Sequence, residues 1–352
     1  MARSFREIIE LHLKWWDRKN EAPLVHVFAP TPKQKTLGGF DIDKSPEEIL
    51  ERKLAAARKS QDPTSDNLAC AFVNFGTAFF PALAGAGYEY DGNTVWSHPC
   101  AQSAEELRVQ PFDPEHELWT KYIVRFEKLL EGWSWESYLP GPTNTVGPMD
   151  TLAAMLGPEL LSMELLMNPD AIKQAAMDAA RLFIDVFDAQ WKMLQKAGAP
   201  DGVVDWMHTW LPGKGHCYSE DYSALCSEAH FREFFLPPNH LIGSHLDTPY
   251  LHIHSGAAQC MPAILEMQNL KAIELSNDPN GPDIDGLIRT GRMIQAAGKC
   301  LQMSNWEHPL ERDEIAEILR GLDPGGLKIT LQAESRDEMQ DLYDFAKSFR
   351  KE

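Results

Sequence analysis

Apolar positions along this chain follow two alternating periods. From Ser4 to Lys19, Phe5, Ile8, Ile9, Leu11, Leu13, Trp15 and Trp16 recur near helical spacing, with Ser4 placed to cap the first turn. Leu24–Phe28 is then a short β-branched and aromatic run closed by Pro30, the pattern of a strand. Ser45-Pro-Glu-Glu opens a second helix, with Pro at its first position and acids in its first turn, running through Ile49, Leu50, Leu54 and Ala57. The alternation continues. Strands are predicted at Leu68–Val73, Trp135–Leu139, Val203–Met207, Pro249–Ile253, Ala272–Leu275, Cys300–Met303 and Leu327–Leu331. Helices are predicted at Pro114–Glu131, Met149–Met167, Pro169–Ala197, Ser227–Leu246 (with a kink at Pro237-Pro238), Ala257–Gln268, Ile284–Ala297, Leu310–Leu322 and Asp337–Lys351. Gly-rich Phe79–Trp96 reads as an inserted excursion, with a hairpin as its simplest form.

Eight apolar strands alternating with helices describe a parallel α/β sheet buried on both faces. A doubly wound open sheet and a closed (β/α)8 barrel of the TIM type both fit. The count of eight, with helices at both chain ends, favours the barrel, preceded by an N-terminal helix and carrying the excursion after its second strand. Neither G-x-G-x-x-G nor G-x-x-x-x-G-K-[ST] follows any strand, which weakens the nucleotide-binding alternative. Without an internal repeat or a linker, residues 1–352 read as one domain.

Composition narrows the partners. Lys+Arg 33 against Asp+Glu 52 gives a net charge of −19, which argues against duplex nucleic acid. The six cysteines are scattered, as in a reduced cytoplasmic protein. The N-terminal segment has charges within its apolar stretch, unlike a signal peptide, and no apolar run reaches a membrane-spanning length of about 20 residues. The expected ligand is a small molecule.

In a barrel, side chains at the C-terminal strand ends build the site. Those ends carry Asp205-Trp206-Met207-His208, His252-Ile-His254-Ser-Gly, Glu274 with Ser276-Asn-Asp278, Ser304-Asn305 with Glu307-His308, and Gln332 with Glu334. Carboxylates and imidazoles dominate, and Arg and Lys are nearly absent, which suits a cation. His252-x-His254 is the sharpest feature, since alternate strand residues point the same way and two imidazoles can share a metal ion. Glu334 is the expected third ligand, with Glu274 or Cys217 as alternatives, and Asp205 is expected to orient an imidazole from behind. The other reading of the pair is one core histidine bonded to backbone and one surface histidine. Cys217 and Asp221-Tyr-Ser223 fall in the loop expected after the fourth strand. There Asp221 is an acid candidate, or else Asp221 or Ser223 caps the following helix and Cys217 packs as a small hydrophobe. Trp206, Trp210 and Trp306 are candidates for an apolar pocket wall, and Trp206, His208 and Asn305 for cofactor contacts.

Asp221-Tyr-Ser-Ala-Leu-Cys-Ser-Glu-Ala-His-Phe-Arg-Glu-Phe-Phe-Leu-Pro-Pro, then Leu251-His-Ile-His-Ser-Gly and Ala272-Ile-Glu-Leu, resembles the uroporphyrinogen decarboxylase superfamily. Gly141-Pro-Thr and the helix after it resemble the family's third unit. The resemblance implies a single (β/α)8 barrel with its site at the C-terminal mouth. True decarboxylases of this family carry an Arg-rich segment after the first strand. This chain has Phe28-Ala-Pro-Thr-Pro-Lys-Gln-Lys there, and its acidic rim would repel a polycarboxylate. The second branch, the corrinoid-dependent methyltransferases, holds zinc with His-x-Cys and a distant Cys to activate a thiol. His252 matches the first ligand, whereas His254 stands in place of Cys, and Leu331-Gln-Ala-Glu334 has no Cys. The resemblance therefore implies zinc, or iron or manganese on a harder N/N/O set of His252, His254 and Glu334. Asp221, Asp205 and Glu274 would serve acid–base or supporting roles, a corrinoid protein would be the partner, and a homodimer is open to the fold. The expected activity is metal-dependent methyl transfer or demethylation on a small substrate. Its alternatives are a lyase acting on a small acid and a non-catalytic partner of a corrinoid or tetrapyrrole protein.

Overall fold

The computed structural model describes residues 3–28, 40–60, 65–92, 94–279, 281–305 and 310–351. The segment after the first strand, with Ala29 to Lys35, and Trp306, Glu307 and His308 lie outside them.

The strands are β1 (Leu24–Phe28), β2 (Cys70–Ala71), β3 (Gly87–Tyr90), β4 (Val95–His98), β5 (Leu139–Pro140), β6 (Thr145–Val146), β7 (Gly202–Val204), β8 (Trp210–Pro212), β9 (Gly215–Ser219), β10 (Thr248–His254), β11 (Ala272–Ser276), β12 (Cys300–Ser304) and β13 (Leu327–Gln332). Seven form one sheet in the order β1-β13-β12-β11-β10-β9-β6, and all its pairings are parallel. β2 and β5 form a separate parallel pair, and no ladder among the described residues joins that pair to the sheet. The α/β class with a large parallel sheet is thus observed. β11 and β12 are buried at every position, the signature of strands covered on both faces. Phe79–Trp96 resolves into a helical turn, Phe79–Leu83, and the antiparallel β3–β4 hairpin.

One predicted strand changes place. The fourth sheet member was expected at Val203–Met207, but the strand beside β10 is β9, Gly215–Ser219. Val203 belongs instead to the β7–β8 hairpin, outside the large sheet. Asp205 turns that hairpin: its carboxylate accepts from Thr209 N (2.9 Å), and His208 takes the left-handed conformation at φ 57°. β9 disguises itself because its polar side chains find their partners in distant elements, with only His216 Nδ1 left unpaired among the described residues. His216 bonds Thr145 Oγ1 at 2.6 Å, Tyr218 donates to Asn239 Oδ1 at 2.8 Å and Ser219 donates to Asp150 at 2.7 Å. The predicted Ser227–Leu246 helix is continuous through Pro237-Pro238. Its irregularity is a π-helical turn at Phe231–Phe235, just ahead of the prolines.

The helix Phe5–Trp16 closes the end of the sheet where the strands begin. Its capping box pairs the Ser4 and Glu7 side chains with each other's backbone N–H. Trp15 is fully buried, edge-on to Trp16 at 4.4 Å, a burial that contributes roughly 3 kcal/mol. His12 joins three segments: its Nδ1 accepts from Trp210 N (2.8 Å) and its Nε2 bonds Asp66 O (2.7 Å). An accepting Nδ1 makes Nε2 the protonated nitrogen, and burial pushes the imidazole down to about 3, so it stays neutral. No helix among the described residues is long and apolar enough to cross a membrane.

Candidate metal centre

β10 delivers His252 and His254 to one side of the sheet at its strand-end edge, as the two-residue period requires. Parallel pairing sets Glu274 of β11 directly beside His252, and its Oε2 bonds the His252 Nδ1. Just past β11, Asp278 Oδ1 takes the Nδ1 of His254 at 2.7 Å. Ser255 holds that carboxylate by donating Oγ–H to Oδ2 at 3.3 Å and accepting from Asp278 N at 3.0 Å. Both Nε2 atoms remain, and both face Asp221 Oδ1, at 3.5 Å from His252 and 3.7 Å from His254.

Asp221 begins the turn immediately after β9. Asp150, in the first turn of the helix Pro148–Leu156, fixes it by accepting from Asp221 N (2.9 Å), Tyr222 N (2.8 Å) and Ser219 Oγ. Asp221 Oδ1 is itself buried, and among the described residues nothing approaches it more closely than those two ring nitrogens, which is costly for a carboxylate oxygen without a further ligand. One ligand atom from each of Asp221, His252 and His254 lies within 4.8 Å of the others. Each imidazole is backed by a carboxylate on its far nitrogen, as metal-bearing histidines usually are.

The charges agree with this geometry. Burial opposes a proton on His252, but Glu274 and Asp221 outweigh it and raise its pKa. Asp221 is the main cause of the rise at His254, which Asp278 reinforces to about 10. Burial likewise opposes ionisation of Asp221, yet the two imidazoles hold its carboxyl below the ordinary range. Trp206 lies edge-on to His252 at 5.4 Å, held by its Nε1–H donating to Cys217 O at 2.9 Å.

Several predicted residues are placed elsewhere. Glu334 is exposed, with its backbone N–H bonded to Glu338, and among the described residues the acid grouped with the two imidazoles is Asp221. Asp205 turns the β7–β8 hairpin near Lys328, whose Nζ donates to Thr209 Oγ1 at 2.7 Å. The orienting part foreseen for Asp205 belongs to Glu274 and Asp278. His208 is tied to Leu68 O at 2.9 Å in the same region, and burial pushes it down to about 4. Asn305 is spent on Asn277 and Thr330 O. Cys217 is a buried member of β9, opposite Tyr250, and is not a loop ligand. Asp150 had no role in the sequence reading. Its only signal was an acid after Gly-Pro-Met at a helix start.

No protein-family model matches the chain, and no curated protein matches it. A solved structure, a methyltransferase from Methanosarcina mazei, superposes with a TM-score of 0.64 over 96% of this chain and 98% of that one, at 13% sequence identity. Likeness at that identity shows the fold alone.

Proposed function

We propose that the chain is a metal-dependent enzyme of the methyltransferase kind, holding a divalent ion on His252, His254 and Asp221 and acting on a small substrate with a corrinoid protein as methyl carrier. The carrying observation is the buried Asp221 Oδ1 facing two Nε2 atoms whose opposite nitrogens are already occupied. Zinc is the first candidate for this two-nitrogen, one-oxygen set, with iron and manganese compatible. Bound there, such an ion would act as a Lewis acid that deprotonates a coordinated thiol or water. The protein's own share is orientation. Glu274 and Asp278 fix the ring planes, Asp150 fixes the turn carrying Asp221, and Trp206 packs edge-on against His252. The resemblance of the quoted motifs to the uroporphyrinogen decarboxylase superfamily and the fold shared with a solved methyltransferase support this reading.

Metal analysis of untagged protein tests it directly. About one ion per chain is expected in the wild type and almost none in His252→Ala or His254→Ala. Folded, active wild type without stoichiometric metal would end the proposal.

A further inference from the structure

A cleft of ≈ 350 Å³ adjoins the triad and shares Asp221 with it. Its apolar wall includes Pro81, Val146, Ala154 and Leu225, and among the described residues its acidic lining is Asp150 and Asp221, with no Lys, Arg or His. The natural place for an anion here would be the N-terminus of the helix Pro148–Leu156, where free N–H groups and the helix dipole attract negative charge. The protein has filled that place itself. Asp150 sits in the first turn, and the Glu220 carboxyl packs so closely against Gly147 that a Cβ there would strike it. Even with a divalent ion on the triad, the three carboxylates of Asp221, Glu274 and Asp278 leave the surroundings net negative among the described residues.

We infer that this cleft is the substrate site and that its ligand is a small organic cation, an ammonium with an apolar body, rather than an anion. The apolar part lies against Val146, Ala154 and Leu225, and the positive head faces Asp221 beside the triad. The inference deepens the proposed function by naming the substrate class, and it rests on that reading for placing the cleft beside a reacting centre.

Titration calorimetry with tetramethylammonium, tert-butanol and 1-propanesulfonate separates the classes, with metal content measured on the same samples. The cation should bind at least about ten-fold tighter than either competitor, as expected for one charge added in a partly desolvated cleft. Leu225 is 69% exposed, so Leu225→Lys should keep the unfolding temperature while weakening the cation about ten-fold or more. Ala154→Lys gives an independent second variant. Cation binding by protein without metal would remove the metal reading yet support the cation site. Metal-loaded protein that binds the alcohol or sulfonate as well as the cation would overturn the inference. So would cation binding undiminished in both lysine variants.

Discussion

Replacing Glu274 by Gln isolates what the carboxylate behind His252 contributes. Glu274 is fully buried, and its partner is dictated by register, since residue 274 lies opposite residue 252 across the β10–β11 ladder. Gln keeps the shape and an oxygen able to accept from Nδ1–H, so the ring stays in place while the negative charge is lost. The other carboxylate oxygen, Oε1, already lacks a partner, so the amide exchanges one unsatisfied atom for another, and stability should change by no more than about 1 kcal/mol. Carboxylates behind metal-bound histidines typically contribute about 10- to 100-fold in affinity, or about 1.4–2.8 kcal/mol. Competition for zinc against a chromophoric chelator should therefore show Glu274→Gln weakened by that factor and His252→Ala by far more. An affinity within two-fold of wild type would refute the idea that the charge matters. Loss as complete as in His252→Ala would make Glu274 a ligand rather than an orienting group.

Other measurements follow from the same geometry. Saturating zinc should raise the unfolding midpoint, a gain of about 2.7 kcal/mol at a hundred times Kd, and the gain should vanish in His254→Ala. Because Asp221 and Asp278 hold a proton on His254 up to about 10, loading at neutral pH should release protons, and affinity should rise with pH, readable in weakly buffered titrations. Buried Asp66 accepts from Arg3, Tyr343, Lys347 and Val25 N. Burial alone would raise its pKa, but Lys347 and Arg3 bring it below the ordinary carboxylate range. Its stabilisation is therefore present above the unfolded carboxyl's pKa and is lost as pH falls through the folded one. Asp66→Ala should cost about 3–5 kcal/mol in urea melts at neutral pH, and less in acid. Gly141→Ala would set a methyl on the Val204 carbonyl oxygen, so soluble yield should collapse, and a normally stable variant would contradict that packing.

Legibility in the sequence depended on whether a residue's role was local. The Ser4 cap and the buried runs of β10 to β13 could be read because spacing alone determines them. The His252-x-His254 pair was visible for the same reason. β9 was hidden because Gly-His-Cys-Tyr-Ser looks like a loop until Thr145, Asn239 and Asp150 supply its partners from distant elements. A fourth strand at Val203–Met207 puts the strand end at Asp205 and His208, and with it the expected supporting carboxylate. Asp221 was noticed as an acid, but only the true end of β9 puts it opposite the imidazoles. Glu334 fitted by position in the repeat, yet its side chain is exposed to solvent.

The helix Phe5–Trp16 also bears on the order in which the molecule can be made. It is made before the elements it packs on, and it and its flanking residues are tied to segments far along the chain. Arg3 bonds Tyr343 across 340 positions, Trp15 O accepts from Cys300 Sγ across 285, and Asn20 bonds Gly326 N across 306. Sequence-distant contacts of this kind slow folding and leave early segments without partners. Trp15 and Trp16 must therefore wait, uncovered, until Trp210, Tyr250 and Cys300 have been made. A ribosome stalled before Trp210 would present them to whatever binds exposed tryptophan.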